Sequence, residues 1–150
     1  FTIPHRAKPA GLFSSLIRIT YYWFDYVIGW FIYTSKDIQY DRFTVFDRYS
    51  YDLLVDPRRT RLSLPYWIRK LYVELMPHPR FTFYLDVESD EIFRRKQELT
   101  PDEINRQIGE YHKLVKSSKR FIVLNGNHSV EQIMDDAIRI ILDTFCTKLK

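Results

Sequence analysis

Three short apolar runs in this sequence end in charged or amide side chains. FTVF, 43 to 46, leads into Asp47 and Arg48; FTFYLDV, 81 to 87, carries Asp86 near its end; RFIVLN, 120 to 125, finishes in Asn125, Gly126 and Asn127. Ligands of open parallel sheets bind outside the carboxyl ends of the strands. Asp47, Arg48, Asp86 and residues 125 to 127 are therefore candidate site residues. Asp and Asn also start turns, but three such ends, one of them an acid–guanidinium pair, favour a site.

The surrounding charge indicates a class of ligand. Arg58, Arg59 and Arg61 lie in a proline-marked loop, and Arg94, Arg95 and Lys96 lie on a predicted helix. Guanidinium forks match phosphate oxygens two at a time. Phosphoryl transfer requires positioning and positive charge more than covalent chemistry from the protein. A carboxylate such as Asp47 can orient Arg48, hold a magnesium-bound water or take an acceptor's proton. Each basic group also has a plainer reading, as a solvated helix face for 94 to 96 and a surface loop for 58 to 61.

Elements of helix and strand must position these groups. Pro65 and Pro77 bracket a helix of about ten residues, and 81 to 87 reads as a buried strand. Ser89 caps a helix with Asp90 and Glu91 in its first turn. TPDE, 100 to 103, and SVEQ, 129 to 132, are capping boxes. The first launches a helix to about Lys116, and the second a helix with an apolar stripe from Val130 to Phe145. The stretch GLFSSLIRITYYWFDYVIGWFIYTS, 11 to 35, shows helical spacing. Arg18 and Asp25 would each cost roughly 2.5–3.5 kcal/mol at a bilayer centre, so a buried or interface helix over 12 to 34 is preferred to a membrane span. The resulting order is helix, strand, helix, strand, helix, helix, strand, helix. It predicts one α/β domain over 1 to 150, a three-layer parallel sheet flanked by helices.

Composition narrows the alternatives. The chain has 150 residues, 45% hydrophobic and 28% charged, with 23 Lys+Arg against 19 Asp+Glu. That is a globular composition whose small positive excess suits anionic small molecules but does not argue for nucleic acid. Cys146 is the sole cysteine, so no disulfide can form within the chain, and a reducing, cytoplasmic setting is expected. His5, His78, His112 and His128 are scattered, so no protein-built metal site is expected. The G-x-S-x-G of a serine hydrolase is missing.

Taken in order, FDRYSYD, then FYLDVESDEIFRRKQEL, then EYHKL, then FIVLNGNHSVEQI resembles the thymidylate kinase-like branch of the P-loop nucleoside and nucleotide kinases over roughly residues 43 to 145. DRYSYDLLVDPRRTRLSLP resembles in particular the thymidylate kinase-like proteins of bacterial surface-polysaccharide gene clusters. The resemblance implies a P-loop NTPase-like fold and ATP-dependent transfer of phosphate to a dTMP-like acceptor, with Mg2+. It implies that Arg48 holds the acceptor phosphate, with Asp47 near the magnesium and acceptor. Tyr49 and Tyr51 would stack on an acceptor base, and Arg58 and Arg59 would join in substrate binding. Arg94 or Arg95 would be the lid arginine, braced by Glu98, and Asn125, Gly126 and Asn127 would lie near the donor's adenine. Related kinases pair through helices, which makes a homodimer through the 12 to 34 helix an expectation as well.

One part of the family pattern is missing. None of the four glycines begins a G-x-x-x-x-G-K-[ST] loop. Phe at position 1 leads to the expectation that the phosphate-binding strand, loop and helix lie upstream, and that these residues alone transfer no phosphate. Two alternatives are a non-catalytic relative acting as an interaction module through the aromatic helix, and a kinase for a sugar or other small acceptor.

Overall fold

The computed structural model describes residues 8–40, 42–95 and 98–148; His5 and Lys96 lie outside them. The chain is mixed α/β, mostly helical, and divides into two compact units at His78 and Pro79.

In the first unit, α1 (Leu12–Gly29) runs through a π-helical turn (Trp30–Thr34) into α2 (Ser35–Gln39). A single turn, α3 (Asp52–Val55), and α4 (Tyr66–Glu74) follow. The core gathers Ile19 from α1, Leu53, Leu54 and Val55 from α3, Val73 from α4, and Leu62, Leu64 and Met76 from the connections. The inner side of α1 lies against α4, where the Thr20 and Tyr72 hydroxyls are 2.8 Å apart and Trp23 Nε1 donates to Leu75 O. Buried Ser15 ties two distant segments together: its hydroxyl donates to Ala10 O and accepts from Ser63 N.

One turn of helix cannot satisfy its own last carbonyls. Arg69 supplies the donors, with Nη1 2.8 Å from both Leu53 O and Leu54 O and Nε 3.1 Å from Leu64 O. This arginine therefore works as a structural clamp inside the unit.

The second unit is β1 (Thr82–Asp86), α5 (Ser89–Arg95), α6 (Pro101–Ser117), β2 (Phe121–Asn125) and α7 (Val130–Lys148). The two strands pair in parallel, Thr82 opposite Phe121 through Asp86 opposite Asn125. The SVEQ capping box closes in both directions, and the TPDE one through its Thr100 half, the Glu103 carboxylate turning to Arg106 and Gln107. Thr100 Oγ1 accepts from Glu103 N with Pro101 in the first turn, and Ser129 and Gln132 exchange side-chain-to-backbone bonds. Side chains alternate across the strands. Tyr84 stacks on Tyr111 of α6, while Phe81, in line with Phe83, meets Phe145 of α7.

Two sequence expectations are corrected. Residues 43 to 46 are not a strand: they are irregular, with Phe43, Val45 and Phe46 exposed. An extended run becomes a strand only through a ladder with a neighbour, and the described residues offer it none. The sheet is accordingly two-stranded instead of the broader one expected. The faces of its strands are only half covered by helices, leaving Leu85 47% and Val123 48% exposed. The 12 to 34 segment is helical as expected, and among the described residues no helix is long and apolar enough to cross a membrane.

Candidate functional site

Beyond the carboxyl ends of β1 and β2, a cleft of about 550 Å³ opens on the α6 side of the sheet. Strand alternation brings Asp86, Val123 and Asn125 to that side, and the i, i+3, i+7 spacing of Asn105, Ile108 and His112 aims one face of α6 at them. Val87, Glu88, Ser89 and Asn127 complete the lining. Val87, Ile108 and Val123 form apolar walls between amide and carboxylate groups. The cleft is wide open to solvent, and its volume lies within the range of small-molecule sites.

The polar groups are tied to one another. Asp86 Oδ1 lies 3.0 Å from His112 Nε2, and each side chain is nearly half exposed. Asn125 Oδ1 accepts from Asn127 N at 3.0 Å, and its Nδ2 is 3.1 Å from His128 Nε2. Gly126 N donates to Asp86 O at 2.8 Å, drawing the turn after β2 onto the end of β1. Tyr84, on the same side of β1 as Asp86, has its hydroxyl pushed up to about 12, first by burial and then by the Asp86 charge.

The two lid candidates stand beside this cleft. Glu91 takes both: Arg94 in a two-pronged contact at 2.8 and 2.9 Å, and Arg95 at 2.7 Å. Hydrogen bonds from Arg94 and then Arg95 hold the Glu91 carboxyl down to about 2. The hydrogen bond to Glu91 likewise raises Arg94 above its usual value. Arg95 Nη1 also reaches to 3.5 Å from Gly126 O, between the two asparagines of the cleft. Glu91 thus bridges the two arginines, one helical turn before Arg94 and Arg95 on α5.

The other site residues belong to the first unit. Arg48 adopts φ +70° and its Nη1 lies 3.0 Å from Asp52 Oδ2, next to exposed Asp47. Left-handed backbone at a bulky residue is costly and concentrates at functional positions. Tyr49 is packed in: its ring lies against Tyr26, Phe46 and Tyr51, its hydroxyl donates to Pro77 O, and burial lifts that hydroxyl to about 12. Tyr51 is buried and stacks on His78. Tyr51 is a core member, and Tyr49 is half-buried against it. Arg58 and Arg59 are exposed in a turn where Arg59 N donates to buried Asp56.

Sequence reasoning missed the α6 side of the cleft. The signal was present, since Asn105, Ile108 and His112 repeat at helical spacing behind a strong cap. Among the described residues no three His, Cys, Asp or Glu side chains gather as a metal site.

Comparison with protein-family models, curated proteins and solved structures finds no match to this chain.

Proposed function

We propose that this chain is part of an ATP-dependent phosphotransferase of the thymidylate kinase-like, P-loop NTPase-like type, acting on a nucleoside monophosphate such as dTMP. One observation carries the reading: Asp86 and Asn125 face each other in register at the carboxyl ends of parallel strands, beside a cleft sized for a small ligand. In this reading the cleft takes the donor's base, with amides and carboxylates on its edge and Val87, Ile108 and Val123 on its faces. Arg94 and Arg95 meet the donor phosphates after release from Glu91. Arg48 holds the acceptor's phosphate, and Asp47 orients it; Arg58 and Arg59 add positive charge for the acceptor.

Mg2+, when bound with ATP, would neutralise phosphate charge; Asp47 is the residue of this chain that the resemblance puts near it. The reading also requires a phosphate-binding loop from outside these 150 residues. The full-length gene product should therefore contain G-x-x-x-x-G-K-[ST] and turn over ATP with dTMP. A panel that includes sugars and other nucleosides tests the acceptor. A full-length protein with no such loop and no affinity for ATP would rule the reading out.

A further inference from the structure

We propose that the N-terminal end of α1, together with the turn from Pro57 to Arg61, docks on an anionic lipid surface. The first two turns of α1 present Leu12, Phe13, Leu16 and Ile17, which are 65%, 77%, 40% and 58% exposed. Ser15 and Ile19, on the inner side of the same helix, are fully buried, so α1 is already anchored to its unit while these four side chains face water. Large apolar side chains clustered on a surface mark a site of interaction.

Cations are gathered at the same end. Arg61 Nε donates to Lys8 O at 3.1 Å and Ala10 N to Arg61 O at 3.0 Å, which ties the turn to the residues just before the helix. The Ser15 hydroxyl, bridging Ala10 O and Ser63 N, secures the same junction from inside. Lys8, Arg58, Arg59 and Arg61 are all exposed. Arg61 holds φ +58°, a left-handed backbone that a bulky residue keeps only where its surroundings fix it. Asp56, the acid of this turn, is buried and accepts from Arg59 N. The first turn of α1 holds no acid, and Asp25 lies more than two turns beyond Ile17.

Charge decides the occupant. Helices hold an anionic membrane surface by sinking apolar side chains between head groups and acyl chains while Lys and Arg meet the head groups. Each basic residue near such a surface is worth about fivefold in affinity. The helix α7 offers a contrast. Val130, Met134, Ile138 and Leu142 also form an exposed apolar stripe, but Glu131, Asp135, Asp136 and Asp143 share that helix, and an anionic surface would repel them. Docking at the interface needs no helix long enough to cross a bilayer, and it does not depend on phosphoryl transfer.

Co-sedimentation of the full-length protein with lipid vesicles tests the proposal. Mixed phosphatidylglycerol and phosphatidylcholine vesicles should bind it at least about tenfold more tightly than phosphatidylcholine alone, and about 0.5 M NaCl should erase that preference. Phe13→Asp should weaken binding at least about tenfold with unchanged circular dichroism. Lys8→Glu combined with Arg58→Glu should weaken binding to the mixed vesicles by at least about twenty-fivefold and leave binding to phosphatidylcholine alone unaltered. No binding to either vesicle, equal binding to both, or binding indifferent to Phe13→Asp would each overturn the proposal. Release from the vesicles by millimolar inorganic phosphate at constant ionic strength would also overturn it, by assigning the basic cluster to a soluble anion. A dimer that ignores the vesicles would do the same, by assigning the apolar face to a second copy.

Discussion

Gly126 and Val87 stand so close, where the turn after β2 meets the end of β1, that a β-carbon on the glycine would fall 2.2 Å from Val87 Cγ2. The same carbon would lie 3.2 Å from Asp86 O, so backbone also limits any relief. Gly126→Ala should destabilise the protein by about 1–3 kcal/mol through overpacking. Val87→Ala in the same chain should recover part of the loss, because two residues in contact do not act additively. Urea unfolding of the four-member cycle measures both effects; additive values would show that the close approach is not what constrains position 126.

Arg48 allows stability and activity to be separated. Its positive φ suits glycine, so Arg48→Gly relieves about 1 kcal/mol of backbone strain while losing an exposed ion pair worth less than that. Stability should stay level or rise slightly. Acceptor affinity in the full-length protein should fall at least tenfold if Arg48 grips the acceptor's phosphate. Unchanged acceptor affinity would remove Arg48 from the site.

The bridge on α5 gives a pH signature. The Glu91 carboxyl is held at about 2, below its ordinary 4.5, by hydrogen bonds from Arg94 and then Arg95. A depressed carboxyl contributes its stabilisation above the unfolded value and loses it as pH falls through the folded one. The melting temperature of the parent should therefore exceed that of Glu91→Gln at neutral pH, and the difference should fade between about pH 4.5 and pH 2. Glu91 is solvent-screened, so the gap is small and shrinks with salt. A gap that grew on acidification would contradict the assignment.

Arg69 is expected to be structural. Arg69→Met leaves the carbonyls of Leu53, Leu54 and Leu64 without their donors and should cost about 2–4 kcal/mol. Arg69→Lys, which lacks the planar fork, should recover less than half of that. A change below about 0.5 kcal/mol in Arg69→Met would mean that water satisfies these carbonyls equally well.

His112 tests the cleft itself. It is nearly half exposed and paired with Asp86, so His112→Ala should alter stability by less than about 1 kcal/mol. In the full-length protein it should weaken ATP binding about tenfold, the worth of one hydrogen bond inside a site. Isothermal titration with ATP decides; an unaltered dissociation constant would place the nucleotide elsewhere.

Local chemistry made much of the second unit legible. TPDE and SVEQ carry their own capping instructions: SVEQ closes as a full box, and Thr100 caps its helix while Glu103 turns to Arg106 and Gln107. FTFYLDV and RFIVLN were recognisable as strands because they are apolar, short and bounded by polar groups. FTVF has the same local character and still is not a strand, because a ladder depends on a neighbour that local sequence does not encode. Tyr49 and Tyr51 follow the charged pair in sequence yet turn inward. The burial of a tyrosine ring is decided by tertiary packing against residues such as Tyr26 and His78, far away along the chain. The α6 wall of the cleft was obscured because Asn105 and His112 look like ordinary surface residues until β1 and β2 are set beside them.

The π-helical turn at Trp30–Thr34 acts as a phase shift. Its extra residue rotates everything downstream by about 100° relative to an uninterrupted α-helix. In the rotated setting Asp37 Oδ2 accepts from Thr44 Oγ1 at 3.0 Å, and Asp37 O accepts from Arg42 N at 2.9 Å. Asp37 thus moors the irregular stretch that leads into Asp47 and Arg48. Where that π turn leaves Asp37 on the helix's circumference is therefore where the loop towards the charged pair is tied down.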